Sequence, residues 1–220
     1  MLLNLDFEIL VLLIPALVLS LCVHEYSHGI VAYYYGDDTA YRNGRLTLNP
    51  AKHLDPMGTL MLLFIGFGYA KPVPVNPFNL KNPRNDMIKV AAAGPISNIL
   101  LAFVGIFTIY LLFNINPELI SLSLKRFLQI FIQINIYLAI FNLIPMYPLD
   151  GGQIFGNLLS EKYPSFANNL KVYGPRFLLG IILVGLLSGF SIIGLILQPL
   201  YHLVYSILEF FVNLFFSIFN

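Results

Sequence analysis

The sequence lacks tryptophan, has one cysteine and carries little charge: 12 Lys and Arg and 11 Asp and Glu make up only 10% of its 220 residues. The lone Cys22 excludes an intrachain disulfide and a cysteine-rich zinc site. It lies two positions before His24 and so faces about 200° away on a helix, which leaves packing as its role. A net charge of +1 with no basic cluster gives no footing for nucleic acid as a partner. Soluble chains run nearer about 25% charged. With 58% hydrophobic residues and a mean hydropathy of +0.78, this chain is read as an integral membrane protein. Basic residues are also missing ahead of the first apolar run. Asp6 and Glu8 have the wrong sign for the start of a signal peptide, so the first helix is expected to be retained.

What the sequence does have is long apolar runs. Stretches at 8–35, 88–113, 127–149 and 177–198 reach the roughly 20 residues that span a bilayer, and an aromatic-rich fifth at 201–219, with His202 and Glu209, either spans or lies in the interface. The predicted fold class is an all-α polytopic membrane protein of four to five transmembrane helices, forming a single domain over 1–220, with a re-entrant or β-like segment between the first and second spans. That segment begins at 57–70, which is apolar, too short to cross as a helix, and holds Gly58, Gly66 and Gly68. Lys71 to Pro77 follows, and its prolines force extended backbone. It is open to two readings: a rigid connector, or an edge strand to which an unwound peptide could pair.

Orientation follows from the basic residues. Arg42, Arg45, Lys52, Lys71, Lys81, Arg84, Lys89, Lys162, Lys171 and Arg176 fall on one side of this topology, and only Lys125 and Arg126 on the other. Loops 37–87 and 151–176 are therefore predicted cytoplasmic and the N-terminus external.

Inside the first run stands His24-Glu25-Tyr26-Ser27-His28. Two imidazoles at i and i+4 share a helix face and can hold two corners of a tetrahedral Zn²⁺, while Glu25, about 100° around the helix, can act on water rather than ligate. In a chain with so few His and Glu the pattern arises by chance roughly 0.002 times. Ionisable groups at membrane depth are expensive, which favours function over packing.

Two further motifs lie in later spans. In Ala93-Gly94-Pro95-Ile96-Ser97-Asn98, Gly94 and Ser97 permit close helix packing. Asn98 needs partners in an apolar helix; it is either a donor to a substrate carbonyl or developing oxyanion, or an interhelical hydrogen bond. In Asn142-Leu143-Ile144-Pro145-Met146-Tyr147-Pro148-Leu149-Asp150-Gly151-Gly152, two prolines and paired glycines are expected to break the third span and free the backbone to aim Asp150 inward. By spacing alone, an Asp-Gly turn at the membrane exit is the slightly favoured reading. The ligand count favours the metal: catalytic zinc takes about three protein ligands plus water, and a carboxylate from another helix is an accepted third. Zn²⁺, two neutral imidazoles, Asp150 and Glu25 also sum to zero charge.

On these three ordered motifs the chain resembles the site-2 protease family of intramembrane zinc metalloproteases, and Arg45 to Pro50 together with Lys71 to Pro77 look like its compact, bacterial-type branch. The resemblance covers nearly the whole chain. It implies one Zn²⁺ per chain held by His24, His28 and Asp150, with Glu25 as general base and acid. Asn98 and Asn142 would contact substrate or the oxyanion, and the substrates would be transmembrane segments of other proteins in a bacterial inner membrane; the topology above predicts that the three motifs lie in its cytoplasmic part. The short 114–126 loop and the end at Asn220 leave no room expected for a PDZ or CBS domain. The rival class is a membrane metal carrier or zinc-binding structural protein that binds metal without hydrolysis. A carrier would need ligands strung across the membrane, and the remaining intramembrane polar residues are mainly Gln129, Gln133 and Asn135.

Overall fold

The computed structural model describes residues 6–65, 68–189 and 191–219. Eight α-helices occur among them: α1 (Phe7–Tyr34), α2 (Thr39–Arg42), α3 (Pro56–Ile65), α4 (Pro83–Ile115), α5 (Leu122–Asn142), α6 (Asp150–Leu159), α7 (Pro164–Ser188) and α8 (Ile192–Phe219). Five of these, α1, α4, α5, α7 and α8, are long and apolar enough to cross a membrane. Their starts follow local chemistry. Pro56, Pro83 and Pro164 occupy the first helical position of α3, α4 and α7, where a missing N–H is harmless. Ser121 caps α5 by accepting from Leu124 N at 3.2 Å.

Helix α4 is the hub, packed against α1, α5, α6 and α8. The main core forms where Ala102 and Ile106 of α4 meet Ile132, Ile136 and Ile140 of α5 and Leu208 and Val212 of α8. At Gly105 an added Cβ would lie 2.7 Å from Ile132 Cγ1, so the missing side chain is what lets α4 and α5 approach. The opposite surfaces are apolar and exposed, as on Phe177, Leu183 and Leu187 of α7, which suits lipid rather than water. Two ion-paired ends fix the arrangement of sides. Glu8 at the start of α1 meets Arg126 at the start of α5 at 2.6 Å. At the start of α4, Arg84 grips the end of α6, donating to Asn157 O at 2.7 Å and Leu158 O at 3.1 Å.

The helix limits differ from the apolar runs in three places. The third helix stops at Asn142 rather than 149, because Pro145 and Pro148 cannot continue it, and Asp150 opens a separate short helix instead of ending a span. The run at 177–198 is not one helix. Its first part belongs to α7, which begins at Pro164, and Gly189 at φ 70° ends that helix before α8 begins at Ile192. Hydropathy averages along the chain and passes over such punctuation. The third place is 57–70, whose first part is α3. Gly66 lies outside the described residues, as does Phe67. No strand is present among the described residues; the expected β-like character reduces to one antiparallel bridge between Leu54 and Ala70, extended by Lys71 N donating to His53 O at 2.8 Å.

Candidate metal centre and cleft

One turn of α1 separates His24 from His28, and both imidazoles turn toward the first residue of α6. His24 Nε2 stands 3.2 Å from Asp150 Oδ2, His28 Nε2 stands 3.4 Å from Asp150 Oδ1, and the two Nε2 atoms are 3.1 Å apart. The outer ring nitrogens are committed elsewhere. His28 Nδ1 lies 2.7 Å from Val90 O of α4, an atom that can only accept, so Nδ1 carries the proton. His24 Nδ1 lies 2.5 Å from Asn98 Oδ1, which likewise accepts. In the neutral rings both Nε2 atoms then present lone pairs, and they face each other and a carboxylate. Asp150 Oδ2 is buried and receives no hydrogen bond. Such lone pairs repel unless a cation sits between them, and two neutral imidazoles with a carboxylate are a donor set that fits a metal ion. Among the described residues this is the one convergent group of His, Cys, Asp or Glu.

Glycines make the convergence possible. A Cβ at Gly94 of α4 would lie 2.5 Å from His28 Nε2 and 2.6 Å from His24 Nε2, inside the space a metal would take. A side chain at Gly151 would strike the main chain of Leu143 and Ile144, and one at Gly152 that of Met146 and Tyr147. The paired glycines thus let α6 dock on the loop before it, which aims Asp150 at the histidines.

Glu25, the remaining member of the motif, is half-buried, and its Oε2 accepts from Val73 N at 2.7 Å. Val73 belongs to the extended 70–76 segment, which is held on both sides. Arg45 Nη2 donates to Lys71 O at 2.8 Å and Pro72 O at 3.3 Å, and Asp37 accepts from Asn76 N at 2.7 Å and Asn79 Nδ2 at 2.9 Å. Between this segment and α5 and α7 runs a cleft of about 820 Å³. His24, Glu25, His28 and Asp150 line its floor, and Leu138, Leu178 and Ile182 contribute to its apolar walls.

The two asparagines are placed differently. Asn142 lines the cleft, donating from Nδ2 to Leu138 O at 3.0 Å. Asn98 is fully buried and is absent from the cleft lining; it bonds His24, Ser20 O at 3.3 Å and Asn135 Oδ1 at 2.8 Å. Its partners are thus interhelical and directed at a histidine. Asn135 was legible only as leftover polarity, although an amide in an apolar helix carries the same warning there as at Asn98. The Val73 contact with Glu25 had no signal, because a main-chain donor leaves none.

The family model for Peptidase family M50 matches residues 112–183, which include the Asn142 to Asp150 motif. The chain is 44% identical to YwhC of Bacillus subtilis (strain 168) over 165 residues, 74% of this chain and 75% of that one. That decides the family. This chain belongs to peptidase family M50. It is also 28% identical over 189 residues to Rip2 of Mycobacterium tuberculosis (strain ATCC 25618 / H37Rv), 82% of this chain and 70% of the relative, and 30% identical over 151 residues to MJ0611 of Methanocaldococcus jannaschii, 68% and 72%. All three relatives carry names that describe zinc metalloproteases. No solved structure matches the chain. As an M50 member with five membrane-length apolar helices, it is an integral membrane peptidase.

Proposed function

We propose that this chain is an intramembrane zinc metalloprotease, a single domain that hydrolyses peptide bonds within transmembrane segments of other membrane proteins. The observation that carries the reading is the meeting of His24, His28 and Asp150 beside Glu25 in a cleft walled by membrane-length helices. The donor set, two neutral imidazoles and a carboxylate, is the kind that binds catalytic zinc. When bound there, zinc supplies a Lewis acid that polarises a carbonyl and acidifies water. The chain's own groups do the rest. Val73 N–H occupies Oε2 of Glu25, which leaves Oε1 to take the proton of the attacking water and later return it to the departing amine. Leu138, Leu178 and Ile182 line the cleft with apolar surface for an unwound segment; a helix hides its carbonyls in internal hydrogen bonds, so unwinding precedes cleavage.

The site belongs to the cytoplasmic side of a bacterial inner membrane with the N-terminus external. The basic loops support this, as does the pairing of the α1 start with the α5 start at the end away from the Arg84 clamp. Replacing Glu25 by Gln in the purified, lipid-reconstituted protein is expected to keep one zinc per chain and to lower cleavage of a membrane-embedded peptide by about 10²–10⁴-fold. Full cleavage by that variant defeats the proposal. A metal carrier, by contrast, would transport zinc undisturbed by the change.

A further inference from the structure

Behind His24, on the side away from Asp150, lies a run of buried amides and a hydroxyl that links α1, α4 and α5. Asn98 Oδ1 meets His24 Nδ1; Asn98 Nδ2 donates to Asn135 Oδ1 at 2.8 Å and to Ser20 O at 3.3 Å. Asn135 Nδ2 donates to Ser20 Oγ and to Phe131 O, both at 2.8 Å, and Ser20 Oγ donates to Ala16 O at 2.7 Å. Ser20, Asn98 and Asn135 each have no solvent exposure.

The order of this chain is forced from its far end. Ala16 O is a main-chain oxygen that takes the Ser20 hydroxyl proton, so Ser20 Oγ, like Phe131 O, is left to accept, and Asn135 must show both its NH₂ and show Asn98 its oxygen. Asn98 must then give its NH₂ to Asn135 and keep its oxygen for His24. That oxygen accepts, so His24 holds a proton on Nδ1, and the neutral ring then turns its Nε2 lone pair toward Asp150 and His28. Reversing either amide sets oxygen against oxygen among fully buried groups, where an unmade bond costs about 1–3 kcal/mol.

We propose that Asn135 is a positioning residue for the metal site, holding Asn98 in the one orientation that keeps the His24 Nε2 lone pair directed at zinc. The inference rests on the reading of His24 as a zinc ligand. Without Asn135, Asn98 retains only the longer contact to Ser20 O and can turn its NH₂ to His24. That orientation stabilises the tautomer with the proton on Nε2, where metal must bind.

The test uses the whole 220-residue chain in detergent with zinc alone as the probe, its affinity read by competition with a chelator. Selective ¹⁵N labelling of histidine reports the His24 tautomer in metal-free protein. Asn135→Leu is expected to weaken zinc binding about tenfold, the low end for groups that orient a ligand, and to give His24 a mixture of tautomers. Asn135→Asp keeps an oxygen for Asn98 Nδ2 and is expected to hold His24 with its proton on Nδ1 and zinc affinity near that of the original chain. If the amides were merely interhelical adhesive, the added acid would do at least as much harm as leucine. Unchanged affinity and tautomer in a folded Asn135→Leu overturns the proposal, as does loss of both in a folded Asn135→Asp. Should Asn135→Leu fail to fold, the aspartate variant decides alone. A chain that binds zinc equally tightly with His24→Ala defeats the metal-site reading itself, whereas zinc lost by His24→Ala but indifferent to Asn135 defeats only this inference.

Discussion

Val73 donates its main-chain N–H to the carboxylate of Glu25 at 2.7 Å, joining the extended segment to the acid–base residue across 48 positions of sequence. Pro72 and Pro74 flank it and stiffen the segment, while Arg45 ties down the carbonyls of Lys71 and Pro72. Side chain and backbone thus fix where Glu25 points.

Arg45→Ala is expected to free that segment without touching the histidines. Losing hydrogen bonds from a charged group costs about 1.5–3 kcal/mol, so kcat/KM for a membrane-embedded peptide should fall at least about tenfold while zinc per chain stays constant. Cleavage assays paired with metal analysis check this. Zinc lost in step with activity would mean that Arg45 supports the whole site rather than the extended segment.

Gly94 and Gly180 make opposite predictions for the same substitution. Gly94→Ala sets a methyl 2.5 Å from His28 Nε2, so zinc content and activity are expected to collapse together. Gly180 of α7 has nothing within 4 Å of its added Cβ. Gly180→Ala should leave activity unchanged and hold or raise the melting temperature, since alanine gains about 0.5–1 kcal/mol over glycine inside a helix. Metal analysis and thermal melting of the two variants side by side decide the matter.

How much of this could be read beforehand divides along a physical line. His24, Glu25 and His28 declare themselves because helical spacing turns i, i+4 into geometry. Asp150 followed from the number of ligands zinc takes, and the Gly151 and Gly152 that aim it were visible beside it. The length of α7 and its break at Gly189 were hidden, because an apolar composition continues across the turn. The separation of α6 from α5 was blurred for the same reason. The pairing of Asn98 with Asn135 is tertiary: each asparagine signalled a need for partners, but nothing along the chain says which helix supplies them. The Val73 donor belongs to the backbone and has no residue type to reveal it.

Asp37 gives the loop after α1 a pH dependence. Burial pushes its carboxyl up, yet hydrogen bonds from Thr39, Asn79 and Asn76 outweigh that and hold it below its ordinary value of 3.8. A carboxyl lowered by folding contributes stability that is complete above the unfolded value and lost as the pH drops through the folded one. Asp37→Asn should therefore melt below the original chain near neutral pH, with the gap closing once the pH falls under 3.8. Melting curves across that range check it; a gap that persists in acid would trace the effect to shape and not charge.

Arg84 tests whether the far end of α6 matters to the metal at its start. Its guanidinium donates to Asn157 O and Leu158 O, carbonyls in the last turn of α6, and also pairs with Glu161. The two kinds of contact differ in worth. Glu161 is 74% exposed, and exposed ion pairs contribute about 0–1 kcal/mol, whereas carbonyls at a helix end call for partners from outside the helix ladder, and Arg84 serves Leu158 O and shares Asn157 O with Ser160 Oγ. Glu161→Gln is expected to leave zinc affinity and melting unchanged. Arg84→Ala should lower the melting temperature and weaken zinc binding several-fold, because α6 is only ten residues long and a tilt at one end moves Asp150 at the other. Arg84→Lys should rescue little, since an ammonium cannot reach two carbonyls as a planar fork does. Equal losses for Glu161→Gln and Arg84→Ala would assign the clamp to the ion pair and detach it from Asp150.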